Sequence, residues 1–193
     1  NDNIQYFPVS LKGYSWIVIN SQIQRELSES AYIQRVNECK EGLEILKGEF
    51  NISSFRDIDL SMLQYLKKKS NVLYNRLCHV LGENDRVQDM KDQLQKCAID
   101  KVGTILKESH ESLKSLYDVS CKEIDFIIEL SISFDGWYGG RIIGGGFGGC
   151  SLHLVADHVV EDYNRYIIAN YTKKYDIIPD IFKVTFPGGS QYL

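Results

Sequence analysis

The sequence predicts an α+β fold: a small antiparallel sheet covered by helices, with a helical insertion between the first strand and a later hairpin. Three observations carry that expectation. Tyr14–Asn20 is an apolar run of strand length. From about residue 30 to residue 116, apolar residues recur at helical spacing, not in alternation. Residues 139–150 then pack seven of the chain's fifteen glycines into twelve positions, among β-branched and aromatic neighbours.

Taken in order, the first strand is stopped by Asn20-Ser21. Ser28 or Ser30 is placed to cap a helix running through Tyr32, Val36, Cys39 and Leu43 to Leu46. Ser53, Ser54 and Asp57 punctuate the chain before a helix over Leu60–Lys69, whose closing lysines, Lys67 to Lys69, suit the negative end of the helix dipole. Leu73, Leu77, Val80 and Leu81 share one face of a further helix; residue 86 to about residue 98 gives another, and residues 102–116 a third. Ser120 is placed to cap a helix over residues 124–130, with Glu123 completing a capping box. Residues 159–175 read as helix and residues 181–184 as a last strand. With no low-complexity linker and no internal repeat, residues 1–193 read as one domain.

The glycine run needs a physical reason, because each glycine costs roughly 0.5–1 kcal/mol against alanine in regular structure. The usual reasons are a cradle of amides for an anion or a close seam between two backbones. Gly144, Gly146 and Gly149 spell the dinucleotide fingerprint, but that motif must open a helix after a strand. Here residues 150–155 alternate as a strand, and Trp137-Tyr138 and Ile142-Ile143 also favour extended backbone. The unit is strand, glycine turn, strand. No Gly-Lys-Ser/Thr follows to make a Walker loop, and the lysine strand, His-Arg-Asp loop and Asp-Phe-Gly of protein kinases are missing. Phe147 at the tip is expected to pack inward and fix the loop.

Composition narrows the class. The net charge is −4, with 44% apolar and 25% charged residues. A chain of this length buries about 70% of its unfolded surface, enough for a sizeable core. No basic face points to nucleic acid, and no apolar stretch reaches the roughly 20 residues that span a membrane. The start, Asn1-Asp2-Asn3, has neither a signal peptide nor an initiator methionine, as expected of a piece of a longer chain. Five scattered cysteines without a C-x-x-C spacing suggest reduced thiols, hence a cytoplasmic protein. The four histidines have no metal-ligand spacing, so no metal site is expected. Ser109, His110 and Asp118 lie along a helix and its end with nothing to orient a base, and read as packing. Arg141 reads as an ion-pair partner of a nearby acid. From spacing alone, Tyr32 is a half-buried amphipathic tyrosine one turn from Arg35 and Val36.

Four segments in register give the chain a resemblance. Asn20-Ser21 with Leu27, Ser30, Tyr32 and Arg35 looks like the segment after the first strand in the second half of galactokinases. Arg76, His79-Val80, Glu83-Asn84 and Arg86-Val87 resemble the family's Arg-x-x-His-Val-x-x-Glu-Asn-x-Arg stretch. Glu108-Ser109-His110-x-Ser112-Leu113, then Tyr117-x-Val119-Ser120-Cys121-x-Glu123-Ile124-Asp125, are similar to its next pair of motifs. Arg141-x-x-Gly144-Gly145-Gly146-Phe147-Gly148-Gly149-Cys150 matches its third motif, shared more loosely across the GHMP small-molecule kinases. Two departures stand out: Ile142-Ile143 replaces the family's Met-Thr, and Lys122 replaces its proline.

The resemblance implies the C-terminal, ferredoxin-like half of a galactokinase, which closes over the substrate and phosphorylates galactose with ATP and Mg2+. It implies Tyr32, Gly145 and Gly146 as substrate-binding residues, with no catalytic residue in this chain. The family's phosphate loop, N-terminal galactose motif, catalytic aspartate and catalytic arginine are not found in these residues, so these 193 residues alone are expected to be inactive. ATP and Mg2+ are then held mainly by an N-terminal half that also acts as partner. Two alternatives remain: a kinase for galacturonate, N-acetylgalactosamine or arabinose, or a galactose-sensing paralogue without catalysis.

Overall fold

The computed structural model describes residues 11–23 and 28–185. The architecture is the expected α+β arrangement. Strand β1 (Tyr14–Asn20) leads into four helices, α1 (Ser28–Glu49), α2 (Leu60–Lys69), α3 (Asn71–Gln95) and α4 (Ile99–Ser115). Helix α5 (Lys122–Ile132) precedes the hairpin of β2 (Trp137–Ile142) and β3 (Cys150–Ala156). Helix α6 (Val160–Tyr175) then returns the chain to β4 (Asp180–Val184). Every strand pairing is antiparallel and the order is β2-β3-β1-β4.

The sheet is sandwiched because successive strand residues point to opposite faces. Ile17, Ile19, Ile142 and Val155 face α5 and α6, meeting Ile124, Ile127, Tyr163, Ile167 and Tyr171. Trp16 and Leu154 face the other way, onto Val102 and Leu106 of α4. A third cluster lies among α1, α2 and α3, with Leu46, Leu66 and Leu77 fully buried. Helix α4 reaches β2 closely because glycine meets glycine there: a Cβ on Gly139 would sit 2.6 Å from Gly103 Cα. The glycine run therefore begins inside a strand, and its first members serve a backbone seam.

Several expected boundaries move. The two helical patterns expected on either side of residues 82–85 form the single helix α3; Gly82 does not break it, and the Arg86 guanidinium lies against the space a Cβ would take. Helix α4 starts at Ile99, three residues before the expected 102. Ser120 does not cap α5: Cys121 holds that position without a side-chain bond, and Ser120 Oγ instead donates to Asp125 Oδ1 at 2.6 Å. Asp57 ends a single 3-10 turn, its carboxylate accepting from the backbone and hydroxyls of Ser53 and Ser54. Ser28 opens α1, but the side chains of residues 28–30, and Leu27 altogether, lie outside the described residues.

Candidate functional site

The turn between β2 and β3, residues 143–149, is the centre of the site. Ile143 N–H donates to Cys150 O at 2.9 Å and closes the hairpin. Beyond that bond the backbone enters the left-handed region at Gly144, Gly146, Phe147, Gly148 and Gly149, so the turn is irregular and not helical. Two other segments frame it. Ser21, just past β1, donates its N–H (2.8 Å) and its Oγ (2.9 Å) to Gly149 O. Tyr171 of α6 donates its buried hydroxyl to Ser21 O at 2.9 Å, locking that segment from below. On the other side Phe147 N–H donates to Val119 O, and a Cβ on Gly146 would fall 2.6 Å from Val119 Cβ. Phe147 packs on the core as expected. Gly146 is buried at this seam, Gly145 is half-buried and Gly144 is exposed.

Tyr32 lies on α1 and is 46% exposed. Its phenol is close enough to act on Tyr117, whose own hydroxyl is pushed up to about 12, first by burial and then by the Cys39 and Tyr32 groups. Tyr117 stacks on His79 at 4.4 Å between ring centres. One turn along α1, Arg35 donates from Nη2 to Asp118 Oδ2 at 2.7 Å, and from Nε and Nη2 to Asp118 O at 3.2 Å. Residues 117–119 thus touch both the Tyr32 helix and the glycine turn. Of the three expected site residues, Gly146 meets this segment directly, and Tyr32 lies one turn from Arg35, which bonds it.

The remaining motif residues build the frame. Glu83 accepts from Ser109 Oγ at 2.8 Å and Arg141 Nη1 at 3.1 Å, and Arg86 Nε bonds its second oxygen. Burial opposes ionisation of Glu83, but the Arg86 and Ser109 bonds and the Arg141 charge outweigh it and hold the carboxyl below its ordinary range. Arg141 is therefore the ion-pair partner expected of it. His110 Nδ1 accepts the Ile142 N–H at 3.4 Å, leaving Nε2 facing Asp125 Oδ1 at 3.4 Å. Asp125 also takes Lys114 Nζ at 3.0 Å; these bonds overcome burial and hold it down at about 2. His79, buried and set 2.9 Å from Ser112 Oγ, is pushed down to about 4 by burial and then by nearby arginines, so it is neutral at pH 7. Ser109, His110 and Asp118 go to three different partners, Glu83, Asp125 and Arg35, so no triad forms.

Chemically, the site offers backbone amides at a turn and one phenol, not a nucleophile with an oriented base. Among the described residues no group of three or more His, Cys, Asp or Glu side chains could hold a metal ion, and no helix is long and apolar enough to cross a membrane. The salt-bridge set around Asp118 escaped sequence reasoning, because Arg35 and Asp118 are 83 residues apart. Its one local signal was an aspartate in a short irregular segment, a residue type that tolerates the φ of 57° found there.

The glycine turn lies at one end of the sheet, between β2 and β3. Residues 90–169 match the family described as "GHMP kinases C terminal", and the chain carries such a domain. Its homologues are galactokinases: it is 36% identical over 187 residues to the Thermosipho africanus galactokinase, covering 97% of this chain and 51% of that one. It is 41% identical over 173 residues to the galactokinase of Thermotoga neapolitana, covering 90% of this chain and 47% of the relative. The crystal structure of Lactococcus lactis galactokinase complexed with galactose superposes with a TM-score of 0.89 at 28% identity, over 96% of this chain and 48% of that one. The chain spans about half the length of the curated relatives it matches.

Proposed function

We propose that residues 1–193 form one C-terminal domain of a galactokinase, which transfers a phosphoryl group from ATP to the anomeric hydroxyl of D-galactose. The observation that supports this reading is the shared frame of residues 117–119, which bonds Arg35 of the Tyr32 helix through Asp118 and meets Gly146 of the glycine turn through Val119. In this reading the Tyr32 hydroxyl bonds a sugar hydroxyl, and the Gly145 and Gly146 main chain lies beside the sugar and the transferred group. Phosphoryl transfer needs positioning and charge stabilisation more than covalent chemistry from the protein. A stretch without side chains at residues 144–146 suits that, because it lets the substrate approach the main chain directly. When bound, ATP supplies the phosphoryl group and Mg2+ neutralises its charge. Both are assigned to an N-terminal half of the same enzyme, because the family's phosphate loop is not found in this sequence. A cytoplasmic site of action fits five free cysteines.

The test is a coupled assay on the full-length protein with ATP and galactose, galacturonate, N-acetylgalactosamine or arabinose. Turnover selective for galactose supports the reading. Selectivity for another sugar reassigns the substrate, and sugar binding without turnover reassigns the protein as a sensor. The 193 residues alone should show no turnover; a rate near that of an intact kinase overturns the division of labour.

A further inference from the structure

We propose that Asp118 is a positioning residue: with Arg35 and Arg76 it straps the turn at residues 116–119 so that the Tyr32 helix and the glycine turn hold one register, and this sets affinity for the sugar. The inference rests on the reading of the site given above.

Four charges form the strap. Arg35 and Arg76, both buried, share two carboxylates. Glu38 Oε2 takes Arg76 Nε at 2.6 Å and Glu38 Oε1 takes Arg35 Nη1 at 3.3 Å. Asp118 Oδ2 takes Arg35 Nη2 at 2.7 Å, with Arg76 Nη2 at 3.7 Å. Burial works against ionisation of Glu38, yet the bond and charge of Arg76 and the charge of Arg35 hold it below its ordinary range. The same guanidiniums grip the main chain, Arg76 Nη1 donating to Leu116 O at 2.6 Å and Arg35 to Asp118 O at 3.2 Å. The turn is thus pinned to α1 and α3 at two of its peptide carbonyls, those of Leu116 and Asp118. The next residue, Val119, receives Phe147 N–H and abuts Gly146, while Arg35 sits one turn from Tyr32 on α1. A shift of Asp118 must therefore move the glycine turn relative to Tyr32.

The members differ in what they do for the fold. The Asp118 side chain is 66% exposed, against 14% for Glu38. An exposed ion pair contributes little to stability, and the arginines keep Glu38 and two carbonyls without it. The Asp118 charge is then an aligning device more than a support. Asparagine at 118 tolerates the left-handed backbone and removes only the charge.

The experiment uses the full-length protein and the variants Asp118→Asn, Arg35→Ala and Arg35→Lys. A misplacement of substrate by about 1 Å costs up to about a hundredfold; a partial loosening should raise the galactose KM of Asp118→Asn roughly fivefold to twentyfold. Its kcat should fall much less, and its melting temperature should match the parent. Arg35→Ala should be worse, with Arg35→Lys recovering part of the loss. Without any ligand, hydrogen exchange of residues 143–149 should be faster in Asp118→Asn than in the parent. Unchanged KM with unchanged exchange overturns the proposal, as does a parallel loss of kcat, affinity and melting temperature. Should the parent fail to phosphorylate galactose, the reading of the site falls, and the strap is decided by exchange alone: unchanged exchange in the turn rejects it, and faster exchange supports it.

Discussion

Replacing Gly146 with alanine probes the seam between the glycine turn and Val119. Gly146 has φ +84°, and an added Cβ would lie 2.6 Å from Val119 Cβ and 2.9 Å from its Cγ2. The left-handed backbone costs alanine about 1–2 kcal/mol. Carbon atoms prefer about 3.5–4.0 Å, so the turn or residue 119 must yield by about 1 Å, an overpacking that costs about 1–3 kcal/mol. The sum, about 2–5 kcal/mol, corresponds to a fall in Tm of roughly 6–15 °C for a chain of this length. Two controls separate the terms. Gly13 has φ +86° with nothing within 4 Å of its Cβ position, so Gly13→Ala should show the backbone cost alone, about 1–2 kcal/mol. Gly48 in α1 also has open space, and Gly48→Ala should stabilise by about 0.5–1 kcal/mol through helix propensity. Thermal melts of the three variants give the comparison. If Gly146→Ala melts with Gly13→Ala, the seam argument is wrong.

Glu83→Gln leaves Arg86, Ser109 and Arg141 without their shared carboxylate; urea unfolding should show a loss of about 1–3 kcal/mol, and a change within error would demote the hub. Acid should destabilise the fold in two windows. His79 and His153 are held down at about 4 and about 3, against an ordinary value of about 6.5. The unfolded chain therefore takes up their protons first, and stability should begin to fall below about pH 6.5. Asp125, held at about 2, contributes stability above about pH 4 that is lost as pH falls toward about 2. Asp125→Asn should flatten the denaturation midpoint in that lower window only. Cys97 is exposed whereas burial raises the thiols of Cys39, Cys78 and Cys121; a thiol reagent should label Cys97 before those three, and equal rates would contradict the burial.

What the sequence made legible was local. The apolar run of β1, the alternation of β3 and the glycine turn between strands needed only neighbouring residues, and each lies where expected. Helix α3 was misread as two because Gly82-Glu83-Asn84 weakens the helical pattern, whereas in the fold Glu83 is fixed by partners on α4 and β2. Ser120 carries a capping signature, but Asp125 competes for its hydroxyl. The pairs that frame the site, Arg35 with Asp118, Arg76 with Glu38 and Glu83 with Arg141, are separated by 83, 38 and 58 residues. No periodicity encodes such pairs; only the folded chain brings them together. By spacing Tyr32 is a bland helical tyrosine, and the substrate-binding role proposed for it rests on the resemblance.

The most direct measurement is a crystal structure of the full-length protein with galactose bound. The account predicts the sugar between Tyr32 and the turn at residues 143–149, with a sugar hydroxyl at about 2.7–2.8 Å from the Tyr32 oxygen. A sugar seated elsewhere, with Tyr32 and the Gly145–Gly146 backbone both out of contact, would contradict it.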